Sequence, residues 1–305
     1  MRARTRLARL AGALAHWGTV NVARRGGGNI PGAVALRVDP GVVGELSADL
    51  APRAVVTGTN GKTTTTGLLA DALAAGGRDV VCNRAGNNME SGIAAALVMS
   101  RGQHAELGCF ECDELYTVRV LPAMRPDVLV LLNLFRDQLD RYGEIDHTQD
   151  VIAEALRRSP ETTLVFNADD PLCAAIADRA GNQGLAFGID EPTGLEADRI
   201  SDSRFCARCN AGLEYEYVHY GQLGAYRCPV CGWKRPQLAF AAVNVTLTCS
   251  GFEFDVEDRR GMEALRYHVR TRWSGLYMVY NVMAALAGCL ATGAARYSHS
   301  RAGAR

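Results

Sequence analysis

The stretch Val55-Val-Thr-Gly-Thr-Asn-Gly-Lys-Thr-Thr-Thr-Thr66 restricts this chain more than any other. A short apolar strand enters a loop, Gly58-Thr59-Asn60-Gly61, and Lys62 and Thr63 then open a helix. Glycines have no Cβ, so their backbone N–H groups can come close to phosphate oxygens. The start of a helix adds unpaired donors and a favourable dipole. Lys62 offers a compact positive charge to β- and γ-phosphates, and the Thr63 hydroxyl can ligate Mg²⁺. The bland alternative is an ordinary glycine turn ahead of a helix. The chain has only two lysines, Lys62 and Lys234, among 33 basic residues, and one of them falls in this loop.

The strand-loop-helix order recurs. Strands are expected at 54–57, 107–111, 128–132, 163–166 and 185–187, and helices at 63–75, 91–99 and 150–159. Near-continuous apolar strands alternating with helices predict a mainly parallel sheet covered on both faces. The fold class is therefore α/β. Residues 237–247, 251–256 and 267–271 alternate like flanking antiparallel strands, and a helix is expected over 279–290. Residues 33–37 look like a short strand. At 305 residues the chain can bury a large core without a metal or disulfide. It has 33 basic and 33 acidic residues, which argues against a broadly basic nucleic-acid binder. No run of about 18 apolar residues predicts a membrane span. Arginines run through to Arg9 with no compact apolar stretch behind them, so the first segment is expected to be an amphipathic surface helix rather than a signal peptide. Without a secretion signal, reduced thiols in a cytoplasmic protein are the default.

Four of the ten cysteines form two tight pairs, Cys206/Cys209 and Cys228/Cys231. The spacing C-x2-C-x18-C-x2-C suits a tetrahedral four-cysteine zinc site, structural because four thiolates fill the coordination shell. A redox dithiol needs only one such pair. Residues 205–234 are thus expected to be a zinc ribbon inserted in the sheet domain. Arg204, Arg208, Arg227, Lys234 and Arg235 lie near tyrosines and Trp233, a pattern that nucleic acid could use, but Glu214 and Glu216 interleave. A scaffold or protein-contact role is favoured over nucleic acid. The six histidines, His16, His104, His147, His219, His268 and His299, pair with no Ser or Cys in a nucleophile signature.

The loop is shorter than the general phosphate loop, and its T-G-T-N-G-K-T-T-T form resembles the Mur ligase family. Three further segments are similar. Asn133-Leu-Phe-Arg-Asp-Gln-Leu-Asp-Arg-Tyr-Gly143 resembles the family's N-x-x-x-D-H-L-D-x-x-G segment, and Asn167-Ala-Asp-Asp-Pro171 resembles its N-x-D-D motif. The run from Gly275 to Ala285 resembles the region that closes the family's central domain. The resemblance implies an ATP-dependent enzyme that joins an amine to a carboxylate through an acyl phosphate. It implies ATP contacts from Gly58, Thr59, Asn60, Gly61, Lys62, Thr63 and Thr64, and an adenine contact from Asn281. It also implies that Glu111 is the Mg²⁺ ligand opposite Thr63; the alternative is a surface acidic cluster, and Asp113 and Glu114 could face solvent. Gln138 replaces the family's histidine, and no lysine is spare for the carbamylated residue that amino-acid-adding members use. These departures, with the ribbon, resemble an amidating branch of the family.

That branch implies amidation of the D-glutamate α-carboxyl of lipid II to D-isoglutamine, in peptidoglycan biosynthesis. Ammonia would come from a GatD-type glutaminase subunit in a heterodimer. The work would be cytoplasmic, at the inner face of the membrane, with peripheral membrane contact left open. Another Mur-like amide ligase of the folylpolyglutamate type, or a nucleotide-binding chain without catalysis, are the alternatives. The expected organisation is residues 1–50 packing on an ATP-binding central domain over 51–293, with an irregular tail at 294–305. The tail does not resemble the family, so a C-terminal ligase domain carrying the catalytic acid is expected to be absent, and no catalytic residue is assigned.

Overall fold

The computed structural model describes residues 2–21, 28–75, 77–83, 87–100, 105–135, 143–194 and 205–293. The chain opens with three helices: α1 (Ala3–Asn21), α2 (Ile30–Val38) and α3 (Val42–Ser47). Alternating elements follow: β1 (Arg53–Thr57), α4 (Lys62–Ala74), β2 (Val80–Cys82), α5 (Glu90–Met99), β3 (Leu107–Glu111), α6 (Thr117–Met124), β4 (Val128–Leu131) and α7 (Glu144–Arg157). Next come β5 (Thr163–Asn167), α8 (Pro171–Ala180) and β6 (Gly184–Ile189). A hairpin of β7 (Glu214–Tyr220) and β8 (Leu223–Arg227) precedes β9 (Phe240–Thr248), β10 (Gly251–Asp258), β11 (Leu265–Thr271) and α9 (Leu276–Ala291).

One nine-stranded sheet runs in the order β11-β10-β9-β6-β5-β4-β1-β3-β2. From β2 to β9 every pairing is parallel, whereas β10 pairs antiparallel with both β9 and β11. Each parallel strand feeds both faces. In β4, Leu129 and Leu131 enter a core shared with α5, α6, α7 and α8. Val128 and Val130 enter the opposite core, shared with α4 and α9. Burial on both faces explains why these strands are short unbroken apolar runs. β1 lies between β3 and β4, so the chain crosses from one side of it to the other after β3. The crevice at the C-terminal ends of β1, β3 and β4 is the switch point where such sheets take ligands.

β1, β3, β4, β5, β6 and the helices α4, α5 and α9 lie close to their expected positions; β2 was not expected, and β9, expected as an antiparallel strand, pairs parallel with β6 as well as antiparallel with β10. Residues 33–37, expected as a strand, are instead helical within α2. Pro31 sits in its first turn, and buried Gly32 and Ala35 form the small face that α5 needs. A Cβ on Gly32 would collide with the Ser91 backbone. Five residues of alternation cannot separate a strand from a helix buried on one side. α7 starts six residues before the expected 150, behind Gly143 in a left-handed conformation. α6 and α8 were not expected. The first contains Pro122, and the second opens on the Asp170-Pro171 cap that its sequence allows. The first segment is a surface helix, as expected, and its large apolar residues face outward. The expected tail at 294–305, Gln138, Arg204, His104 and His299 lie outside the described residues.

Candidate functional site

The glycine loop is fixed by its neighbours. Gly58 has φ +133 and Gly61 φ +87, conformations that favour glycine. Buried Asn133, just beyond β4, clamps the loop: its side chain accepts from Asn60 N at 2.9 Å and donates to Asn60 O at 3.0 Å. Its backbone oxygen accepts from Thr59 N at 2.8 Å. Phe135 N donates to the Thr59 hydroxyl at 3.1 Å. Thr59 and Asn60 thus spend their backbone N–H groups on Asn133, which fixes the shape of the loop. The first helical bond is Thr65 N to Gly61 O, so the amides just ahead of it have no partner within α4. Thr63 and Thr64 are exposed at that helix start.

Lys62 Nζ donates to Gly58 O at 2.6 Å and Thr59 O at 3.2 Å, and pairs with Glu114 at 3.3 Å. Both side chains of the pair are largely shielded from solvent. Glu114 therefore faces the loop rather than solvent. Asp113 instead caps the turn at 114–116 by accepting from Leu115 N. Glu111 ends β3 directly across from Val56 of β1, and only 3% of it is exposed. Asn83 holds its backbone by two bonds, and Asn88 Nδ2 lies 3.3 Å from its carboxylate. Among the described residues no cation pairs with it. A buried carboxylate at a strand end and an exposed threonine hydroxyl at the facing loop are oxygen donors of the kind Mg²⁺ takes. Burial, then the nearby Asp113, Glu114 and Glu90 carboxylates, holds the Cys112 thiol well above its ordinary range.

Asn281 lies in the first turns of α9 and is 6% exposed. Its carboxamide sits where a Cβ on Gly61 would fall. The loop and α9 therefore touch, and Gly61 is required twice, by its φ and by this contact.

Two adjacent aspartates carry the site further. Asp170, fully buried, accepts from Leu134 N at 2.8 Å and Leu172 N at 3.0 Å. Burial pushes its carboxyl up to about 6, against the opposing effect of those two N–H groups. Asp169 accepts from Tyr280 Oη at 2.6 Å, Ile189 N at 2.9 Å and Arg235 Nη1 at 2.9 Å. Tyr280 is the neighbour of Asn281, and Arg235 leaves the cysteine module, so one carboxylate joins the two. The N-x-D-D segment could be seen in the sequence; its partners Tyr280, Arg235 and Gln222 could not.

In the module, the four Sγ atoms of Cys206, Cys209, Cys228 and Cys231 lie within 4.8 Å of one another. The Cys206–Cys231 and Cys209–Cys228 sulfurs are each 3.5 Å apart. A Zn–S distance of about 2.3 Å asks for sulfurs about 3.8 Å apart, so the set fits zinc. Arg208 N and Cys231 N point at Cys206 and Cys228 sulfurs, and the Cys231 N–H pulls the Cys228 thiol down to about 6. Trp233 Nε1 and Arg208 both bond Asp178 of α8, which ties the module to the sheet domain. At the hairpin tip, Gln222 donates to Leu134 O at 2.7 Å, and the Tyr220 ring stacks at 6.0 Å on Phe135, the residue bonded to Thr59.

Residues 56–227 match the Mur ligase middle domain. The chain is 36% identical over 217 residues to the MurT subunit of the glutamine-hydrolysing lipid II isoglutaminyl synthase of Staphylococcus aureus, covering 70% of this chain and 48% of that one. It is 33% identical over 290 residues to the MurT subunit of Streptococcus pneumoniae, covering 94% of this chain and 62% of that one. The chain thus spans about half the length of the first of these relatives. Among solved structures, a pseudomurein peptide ligase type C from Methanothermus fervidus superposes with a TM-score of 0.62 at 26% identity, covering 79% of this chain and 46% of that one.

Proposed function

The chain belongs to the Mur ligase family, and from that premise we propose that it is the nucleotide-binding body of an ATP-dependent amide ligase of peptidoglycan biosynthesis. Its substrate would be the D-glutamate α-carboxyl of lipid II, converted to D-isoglutamine through an acyl phosphate. The ammonia would come from a glutaminase partner, as the name of the MurT relatives suggests. Lipid II places the work at the inner face of the membrane. No helix among the described residues is long and apolar enough to cross one.

One observation carries the reading. Lys62 and Thr63 leave one glycine loop at the sheet's switch point, and Glu111 and Asn281 reach its neighbourhood from distant segments. The α4 amides and Lys62 would hold the phosphates, and Asn281 would lie beside the base. When bound, Mg²⁺ would offset charge on the γ-phosphate as a carboxylate attacks it, with Thr63 and Glu111 as its protein ligands. To reach a phosphate, Lys62 exchanges Glu114 and the loop carbonyls for the nucleotide. That exchange keeps the ammonium paired in both states, which limits the cost of holding it partly buried.

The test is calorimetric titration of the chain with a non-hydrolysable ATP analogue and Mg²⁺. Binding that Lys62→Ala weakens at least tenfold supports the reading. Equal affinity in both proteins would overturn the assignment of the loop. Binding without lipid II amidation in the presence of the glutaminase would favour a non-catalytic nucleotide-binding role.

A further inference from the structure

We propose that the outward face of α1 docks on an anionic lipid bilayer. The helix packs inside-out. Its buried positions are the small residues Thr5, Ala8 and Gly12. The Thr5 hydroxyl donates to buried Asp39 at 2.7 Å, and a Cβ on Gly12 would lie 2.7 Å from the Pro31 carbonyl. Close backbone approach, not apolar bulk, holds α1 to α2. The bulk points the other way: Leu7 is 60% exposed, Leu10 54%, Leu14 68% and Trp17 61%. At 3.6 residues per turn these four fall in one stripe roughly 80° wide, opposite the buried face. A contiguous exposed stripe of this kind marks an interaction surface.

Charge selects the occupant. The first 38 residues carry seven arginines and no acidic residue, although the whole chain is neutral. The remainder holds 26 basic and 33 acidic residues, so the segment that contains this helix is the positive part of the sequence. Exposed Arg6 lies on the helix wheel beside Leu10 and Trp17. Arg2 and Arg4 are tethered through Nε, to Glu45 and to Val38 O, and both remain exposed. Apolar residues with a tryptophan on the outer side and arginines at the flanks suit a helix lying in the headgroup layer. A second copy fits poorly, because a symmetric α1–α1 contact would bring two arginine-rich helices together. The docking surface rests on α1 alone and not on the ligase reading. A nucleotide-binding failure and a lipid-binding failure are therefore separate results.

The test is co-sedimentation of the full chain with vesicles of phosphatidylglycerol and phosphatidylcholine, beside pure phosphatidylcholine. The expected result is pelleting with the anionic vesicles only, weakened by 0.5 M salt. A blue shift of tryptophan emission should accompany it and vanish in Trp17→Phe. Leu10→Glu with Leu14→Glu should weaken pelleting at least tenfold, and Arg6→Glu several-fold, with melting temperature and nucleotide titration unchanged. The surface is overturned if the chain ignores anionic vesicles, or if neutral vesicles or the double variant pellet equally. It is also overturned if light scattering shows a dimer that the double variant dissociates, with no vesicle binding.

Discussion

At the scale of single residues, two glycines make opposite predictions. Gly61 holds φ +87 and abuts the Asn281 carboxamide, so Gly61→Ala meets both backbone strain and a collision. It should cost about 1–3 kcal/mol of stability and abolish nucleotide binding. Gly67 sits inside α4 with open space around its Cβ position, so Gly67→Ala should gain about 0.5–1 kcal/mol. Denaturant melts of the two variants check the contrast. Asp170 makes a pH prediction. Its carboxyl is raised from 3.8 to about 6 by burial, so the folded state binds the proton more tightly than the unfolded state does. Stability should therefore be full below about pH 4, fall as pH rises towards 6, and level off above, losing at most about 3 kcal/mol. Asp170→Asn should flatten that slope, so its deficit against the wild type should shrink as pH rises from 4 to 7. An unchanged slope would remove Asp170 as its source. Glu114 shows the limit of reading residues singly. In sequence it is one acid among three, and only the fold sets it against Lys62.

Elements differed in how openly the sequence announced them. β3, β4 and β5 were legible because parallel strands buried on both faces must be short apolar runs. The four-cysteine cluster was legible because such a cluster is written in local spacing. α2 was not, because its helical identity depends on the small face it turns to α5. α8 was missed although Asp170-Pro171 is a sound helix start, because a short helix leaves few periods to count. The hairpin of β7 and β8 has its own prediction. The purified chain should carry one zinc per molecule by elemental analysis, and Cys209→Ser with Cys231→Ser should lose it. The variant should keep its parallel sheet, since most of the two cores on either face of that sheet comes from strands and helices outside the ribbon.

Across the whole molecule, the cysteine module and the glycine loop are linked. Arg235, Asp169 and Tyr280 join the module to the helix that carries Asn281, while Gln222 and Tyr220 press on the segment behind Thr59. Loss of zinc should therefore weaken nucleotide binding several-fold, even though no zinc ligand belongs to the loop. The same calorimetric titration on the zinc-free double-serine variant measures this, and unchanged affinity would make the ribbon an independent module. The features legible in residue order are those whose chemistry is local. Glycines at 58 and 61 and a lysine at 62 predict a phosphate loop, and paired cysteines predict a metal site, from local spacing alone. Only the tertiary structure decided which way α1 turns its leucines, that Asn133 clamps the loop, and that Glu114 faces Lys62. Those are meetings of side chains far apart in the chain, and the packing of the sheet and its helices, not residue order, brings them together.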